Sequence, residues 1–263
     1  MKYIKKIINY LLGLFNRKII TNNDLLIEED FVEFFPPTTG YIFLNKSIYP
    51  NGLFHIVQGY MDNIRRLDEN FNINDDDFVI DIGAHHGAFS CYASSLGARV
   101  IALEANMENI YYLNQNKKIN NFINLNVING ALVSSKTEQK NKYSLFDIGL
   151  TPTTGTLDKV TRNQSKSGKM IKVENYSFEK LFQLLPDTPC ILKIDIEGGE
   201  WEVLKELELL LSNNKIKCLL GEFHKTETNK PSEIIKLLES LKIDFHCGLE
   251  IDDRIELCAI PVN

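Results

Sequence analysis

Apolar and polar positions fall into three regimes along the chain. In the first twenty residues Ile4, Ile7, Ile8, Leu11 and Phe15 recur at helical spacing, with Lys2, Lys5, Lys6, Asn9, Gly13 and Asn16 between them. That pattern predicts an amphipathic helix. Residues 21–77 lose the order, because Pro36-Pro37, Gly40, Pro50-Asn51-Gly52 and Asn74-Asp75-Asp76-Asp77 interrupt it. One helix is expected between Leu53 and Asn70, and residues 1–75 are read as an N-terminal helical cap. From residue 76 onward short apolar runs alternate with helical ones. Strands are predicted at Phe78–Ile82, Val100–Leu103, Leu125–Val133, Cys190–Ile196 and Cys218–Phe223, with closing runs near Ile243–Cys247 and Ile255–Pro261. Helices are predicted at Phe89–Leu96, Met107–Lys118, Ser177–Leu185, Glu200–Leu211 and Pro231–Leu241; Trp201, Leu204, Leu207 and Leu211 share one stripe of the fourth. Strands alternating with helices of about ten residues imply crossover units, hence an α/β chain with a Rossmann-like, doubly wound, mostly parallel sheet. In such sheets ligands sit beyond the carboxyl ends of the strands, at the switch point.

Charge and cysteine content narrow the partners. The chain carries 29 Lys+Arg against 35 Asp+Glu, a formal −6. It lacks the basic face that sequence-independent nucleic-acid binding needs, so no nucleic acid is expected. The five cysteines are odd in number and contain no C-x-x-C pair. Neither a disulfide framework nor a zinc site follows, and the expected setting is reducing and cytoplasmic. Cys190, Cys218 and Cys258 lie in apolar runs and are expected to be buried. No stretch approaches the ~18 apolar residues of a membrane span. The basic start followed by Ile7 to Phe15 imitates a signal peptide, but no small-residue cleavage site follows. Two readings of residues 1–20 stay open: peripheral contact with a membrane surface or partner, and packing against the chain's own domain or a dimer mate.

Three passages carry chemistry. The first, Asp81-Ile82-Gly83-Ala84-His85-His86-Gly87, joins a predicted strand to a helix, and Glu104 follows at the end of the next strand. Glycine lets such a turn approach a ligand closely. An acid about twenty residues further on is placed to accept hydrogen bonds from ribose hydroxyls. His85 stands where the dinucleotide pattern has its second glycine. Asp81 adds a negative charge beside the loop, which suits a cationic aminoacyl nucleoside, S-adenosylmethionine, better than a diphosphate. The second passage, Leu192-Lys193-Ile194-Asp195-Ile196-Glu197-Gly198-Gly199-Glu200, puts Lys193, Asp195 and Glu197 on one face of a central strand. A Lys193–Asp195 ion pair is the structural alternative to a catalytic role. The third, Glu222-Phe223-His224, delivers a second polar pair to the same end of the sheet. Asp195, Glu197, Glu222 and His224 are the candidate catalytic wall, with Asp195 or His224 as general base.

No metal is expected. Asp195, Glu197, Glu222, His85 and His224 offer donor atoms, but no compact motif such as H-E-x-x-H is present. His85 and His86 are expected to point different ways. Residues 134–172 are polar, with Thr151-Pro152-Thr153-Thr154-Gly155-Thr156 at their centre. They read as a mobile surface loop or as a lid in which Lys159 or Arg162 touches a polar acceptor.

These residues resemble the FkbM-type methyltransferases of the class I S-adenosylmethionine-dependent fold. The likeness lies in V-I-D-I-G-A-x-x-G-x-F-S (Val79 to Ser90), Glu104 with Asn109 after it, L-K-I-D-I-E-G-x-E (Leu192 to Glu200) and Glu222-Phe223-His224. It covers about residues 76–263, read as the methyltransferase domain. His85 stands where the family usually has Asn, and Ala105 where it has Pro. The resemblance implies a seven-stranded sheet with an antiparallel last strand. It also implies transfer of a methyl group from S-adenosylmethionine to a hydroxyl of a small molecule, sugar or glycan. Asp81, Gly83, Ala84, His85, Gly87, Glu104, Ala105 and Asn109 are then the cofactor-binding set. An NAD-dependent oxidoreductase and a non-catalytic S-adenosylmethionine-binding subunit are the alternatives.

Overall fold

Alternation of large apolar side chains builds the molecule from the centre outward. The structure is a computed structural model that describes residues 72–149, 155–157, 168–251 and 253–261, together with strands at 31–34 and 43–46. The amphipathic stretch 1–20, the helix expected over 53–70, Thr151 to Thr154, Lys159 and Arg162 lie outside the described residues. Where the sequence pattern gives no regular element, the backbone forms two antiparallel strands, β1 (Phe31–Phe34) and β2 (Phe43–Lys46).

The chain then runs β3 (Phe78–Ile82), α1 (Ala88–Ser95), β4 (Arg99–Glu104), α2 (Met107–Ile119) and β5 (Leu125–Asn129). A second group follows: β6 (Ala131–Leu132), α3 (Ser135–Lys140), β7 (Tyr143–Asp147), β8 (Thr156–Leu157), β9 (Met170–Tyr176) and α4 (Phe178–Phe182). The last third holds β10 (Cys190–Ile194), a 3-10 turn (Gly199–Glu202), α5 (Leu204–Ser212), β11 (Ile216–His224), α6 (Ser232–Ser240), β12 (Asp244–Ile251) and β13 (Arg254–Ile260). Seven strands form the main sheet in the order β12-β13-β11-β10-β3-β4-β5. β13 runs antiparallel to both neighbours, and the pairs from β11 to β5 are all parallel. The seven strands and the one reversed strand agree with what the resemblance implies. Among the described residues no helix is long and apolar enough to cross a membrane.

Successive strand residues face opposite sides of the sheet, so each side receives its own core. Ile80, Ile82, Leu103, Leu192, Ile194 and Leu219 meet Phe178 and Leu181 of α4, Leu207 and Leu211 of α5, and Ile234 and Leu238 of α6. Val79, Val100, Ala102, Ile191, Cys218 and Leu220 meet Phe89 and Cys91 of α1 and Leu113 of α2. Each fully buried aliphatic side chain contributes about 1.5–3 kcal/mol. Cys190, Cys218 and Cys258 are buried, and so is Cys91.

Three elements differ from the sequence pattern. The strand expected over Leu125–Val133 divides at Gly130, whose N–H donates to the Glu104 carbonyl at 3.0 Å. A Cβ at Gly130 would lie 2.4 Å from the Tyr176 ring, so only glycine lets the chain pass there. Beyond it β6 joins a second sheet, ordered β6-β9-β7-β8. The described parts of 134–172 therefore hold regular elements, α3, β7, β8 and the start of β9. β7 and β9 bury few large apolar side chains, around Val133, Phe146, Leu157 and Val173, and their polar positions hide the alternation. The helix expected from Glu200 begins as the 3-10 turn and becomes α-helical only at Leu204.

At the centre of the main sheet β10 pairs with β3 so that Lys193 stands opposite Asp81. Lys193 Nζ lies 3.3 Å from Asp81 Oδ1 and donates to the Gly83 carbonyl at 2.8 Å. Ser90 Oγ donates to Asp81 Oδ2 at 2.6 Å. The ionic partner of Lys193 is thus its neighbour on the next strand, not Asp195 two residues along its own. Removing one member of such a pair strands the other charge. Lys193→Met is expected to lower the free energy of unfolding by about 3–5 kcal/mol in urea titrations. The double variant Asp81→Leu/Lys193→Met is expected to recover most of that loss.

Candidate active site

Strand ends and the turns after them build the site from two sides of the switch point between β3 and β10. On the first side the chain leaves β3 at Gly83, which has φ 73°. A Cβ there would come within 1.8 Å of the Asp195 carbonyl oxygen. The glycine is needed because the turn after β10 passes against it. Gly83 and Ala84 both donate N–H to the Leu103 carbonyl, at 2.9 and 3.1 Å, which ties the loop to β4. Gly87, at φ 86°, starts α1, and a Cβ there would strike Leu113 at 2.0 Å.

Glu104 organises the loop from the end of β4. Its Oε2 accepts the His85 N–H at 2.8 Å, and its Oε1 accepts the Asn106 N–H at 2.8 Å and Asn109 Nδ2 at 3.2 Å. Burial pushes its pKa up, against the pull of those three donors. Each carboxylate oxygen can accept more than one hydrogen bond. Ala105 is buried beside it. His85 has φ 53°, a left-handed conformation that Asn and His tolerate better than most residues. Its ring therefore does not turn away from its neighbour: His85 and His86 stack with centroids 3.9 Å apart, contrary to the extended-chain expectation. Burial first, then Lys193, pushes the His85 pKa down to about 3, so the ring is neutral. Its Nε2 is shut from solvent without a hydrogen-bond partner among the described residues. Asp81 is wholly buried beneath the loop, and its charge meets Lys193 there.

The second side is a wall of carboxylates around one imidazole. β10 ends at Ile194, so Asp195 and Glu197 lie in a turn in which Glu197 has φ 57°. They do not continue the strand's alternation. The Asp195 N–H still donates to the Ile82 carbonyl at 3.1 Å. From the end of β11, His224 Nε2 lies 3.1 Å from Glu222 Oε1 and 3.9 Å from Glu197 Oε2. Arg254 Nε at the start of β13 also meets Glu222 Oε1, at 3.0 Å. Burial opposes a charge on His224, but Glu200 and Glu222 outweigh it and push its pKa up to about 10. Asp195 goes the other way from an ordinary acid. Burial, then Glu222, pushes it up to about 6 against Lys193 and His224.

Donor atoms of Asp195, Glu197 and His224 lie within 4.8 Å of one another, closer than a sequence without a metal motif leads one to expect. A protonated imidazole has no lone pair to give, so a cation there must first displace that proton.

Two residues outside the sequence-derived set belong to this wall. Glu200 is fully buried and accepts the Ile196 N–H at 2.9 Å, and its Oε1 lies 3.1 Å from His224 Nδ1. Thr156 of β8 donates to the Glu197 carbonyl at 3.2 Å, which joins the second sheet to the turn. Glu200 had a signal, an acid three residues past Glu197 at the start of an apolar helical stripe. Thr156 lay in the stretch read as a loop or lid, but its partner at the Glu197 carbonyl is reached only through the fold.

The family model described as the methyltransferase FkbM domain matches residues 81–248, more than half of the chain. No curated protein sequence matches. Among solved structures, the precorrin-6Y C5,15-methyltransferase of Geobacter metallireducens is 14% identical with a TM-score of 0.43, over 78% of this chain and 88% of that one. Aeropyrum pernix fibrillarin, bound to S-adenosylmethionine, is 12% identical with a TM-score of 0.43, over 77% and 74%. A SAM-dependent methyltransferase of Aquifex aeolicus is 13% identical with a TM-score of 0.38, over 80% and 98%.

The close approach at Gly83 makes a direct test of this geometry. Gly83→Ala adds a methyl group against a backbone carbonyl and forces an alanine into the left-handed region, so a loss of at least about 2 kcal/mol is expected. Thermal melting should show it, and Gly168→Ala, whose Cβ meets nothing within 4 Å, should cost clearly less.

Proposed function

The chain belongs to the FkbM methyltransferase family and is an S-adenosylmethionine-dependent methyltransferase; we propose that the group it methylates is a hydroxyl on a small molecule, sugar or glycan. The observation that carries this reading is the gathering, just past β10 and at the end of β11, of Asp195, Glu197 and His224 with donor atoms within 4.8 Å of one another, where burial and neighbouring charge hold Asp195 near neutrality and His224 protonated. An alcohol must lose its proton as it becomes a nucleophile, and a base with a pKa near 6 is ionised at neutral pH while still able to accept it.

The residues fit the cofactor. Gly83 and Gly87 leave bare backbone at the loop, His85 Nε2 is a buried polar atom without a hydrogen-bond partner among the described residues, and Glu104 retains acceptor capacity. Glu104 and Asn109 would hold the nucleoside end, and the Gly83 to Gly87 loop the amino-acid end. When bound, S-adenosylmethionine supplies a methyl carbon made electrophilic by its sulfonium. Asp195 takes the proton of the acceptor hydroxyl on its carboxylate. His224 stays protonated and, with Arg254, offsets the charge of Glu222 and Glu197 as that proton arrives. Of the two candidate bases this reading selects Asp195, since an imidazole held at about 10 is already occupied at neutral pH. Holding acceptor and donor in line supplies the larger share of the rate. Residues 76–263 are the catalytic domain in this reading, and the second sheet borders the acceptor through Thr156.

Calorimetric titration with S-adenosylmethionine, S-adenosylhomocysteine and NAD tests the cofactor half. The two S-adenosyl compounds should bind and NAD should not. Glu104→Ala should weaken binding about 10- to 100-fold, the loss of hydrogen bonds to a charged group. Binding of NAD alone overturns the reading.

The acceptor half is tested on hydroxyl acceptors by the pH dependence of kcat/KM. Activity should rise as Asp195 ionises through about 6, hold a plateau, and fall as His224 loses its proton through about 10. Asp195→Asn should lower the plateau ~10²- to 10⁴-fold and abolish the acid limb. An unchanged limb removes Asp195 from the role.

A further inference from the structure

We infer that Glu200 is the positioning residue of the acceptor wall, holding the His224 ring and the Asp195–Glu197 turn in one fixed relation. The inference rests on the methyl-transfer reading for its purpose but on geometry for its substance.

Glu200 is 0% exposed, so it cannot touch an acceptor itself. One of its oxygens serves both sides of the wall. Oε1 accepts the N–H of Ile196, the residue between Asp195 and Glu197, at 2.9 Å. The same atom lies 3.1 Å from Nδ1 of His224 on the neighbouring strand. The other oxygen, Oε2, is shut from solvent without a hydrogen-bond partner among the described residues. An apolar residue of similar volume would avoid that cost, so the carboxylate is retained for what Oε1 does.

The local chain is shaped to deliver it. Glu197 at φ 57° and Gly198 at φ 99° reverse the backbone, and the 3-10 turn Gly199–Glu202 then brings Glu200 back beneath Ile196. The next residue, Trp201, donates its Nε1–H to the His224 carbonyl. One short turn thus holds His224 by its ring and by its backbone. With Nδ1 facing Glu200, Nε2 is left facing Glu222 at 3.1 Å and Glu197 at 3.9 Å. A carboxylate behind an imidazole fixes both the ring's orientation and which nitrogen carries the proton. Asp195 also acts on that ring, and Arg254 and Lys193 act on the Glu222 beside it.

A side chain that only filled space there would leave the protonation of His224 unmoved when its charge is removed without its shape. The test is imidazole NMR of the full-length protein labelled with ¹⁵N-histidine, the His224 signals being identified by their loss in His224→Gln. In the wild type a slowly exchanging, hydrogen-bonded Nδ1–H is expected at pH 7. Its absence, or a ring that titrates as an ordinary histidine, overturns the inference without any Glu200 variant. In Glu200→Gln, which keeps an acceptor oxygen but no charge, the His224 titration should fall by ~1–2 units, a 10- to 100-fold change in its protonation equilibrium. S-adenosylmethionine affinity should change less than about threefold, since Glu104 and the Gly83 loop are untouched. An unmoved His224 titration in a folded Glu200→Gln protein also overturns it. Failure of the wild type to bind S-adenosylmethionine would instead sink the methyl-transfer reading, and the two results are read separately.

Discussion

A lysine and an aspartate closed between two central parallel strands set the terms for everything around them. Parallel strands covered on both faces are apolar almost throughout, and a charge there persists only if it is matched. Lys193 and Asp81 match each other across β10 and β3, and the lysine's remaining reach goes to the Gly83 carbonyl. That contact draws the first loop toward β10. Gly83 then lies so close to the Asp195 carbonyl that no side chain fits between them. The two halves of the site are therefore neighbours because one ion pair and one missing side chain make them so.

The acids of the two halves are handled differently. Glu104 is a carboxylate kept by donors, two backbone N–H groups and one amide, with no ion pair to it among the described residues. Asp195, Glu197, Glu200 and Glu222 form a crowd whose mutual repulsion is relieved by His224, Lys193 and Arg254. In the first case the carboxylate is fixed and its unused lone pairs define a shape to be filled. In the second, protons and charges are shared, and a small change in charge is felt by every member. Recognition suits the first arrangement, and proton transfer the second.

Contiguous signals in the sequence are the ones that survive in the structure. The strand-turn-helix from Val79 to Ser90, the acid closing β4 and the run from Leu192 to Glu200 are each local, so the order of residue types already implies where they lie. The count of seven strands and the reversed last strand came from family likeness rather than periodicity. What could not be read depends on pairing across strands or on backbone outside the extended region. The partner of Lys193 is set by register. The stacking of His85 on His86 follows from one positive φ. The second sheet hides behind polar alternation, and the protonation of His224 depends on Glu200, a residue of another element. Residue types can be read off a sequence, but the company they keep is decided by the fold.

The reversed β13 has a consequence for how the wall is finished. A strand laid parallel to β11 would begin at the far end of the sheet and bring its last residue, not its first, toward His224. Because β13 runs the other way, it starts there: Arg254 stands opposite His224 in the ladder, and Asp253 just before it accepts the Lys225 N–H at 2.6 Å. The tip of the hairpin formed by β12 and β13 thus acts as a doorpost, raised from the far end of the sequence beside a room whose other walls were built much earlier. Docking of that hairpin and completion of the site are coupled by it. Until β13 has paired with β11, Glu222 stands without its arginine, and the site exists with one side open.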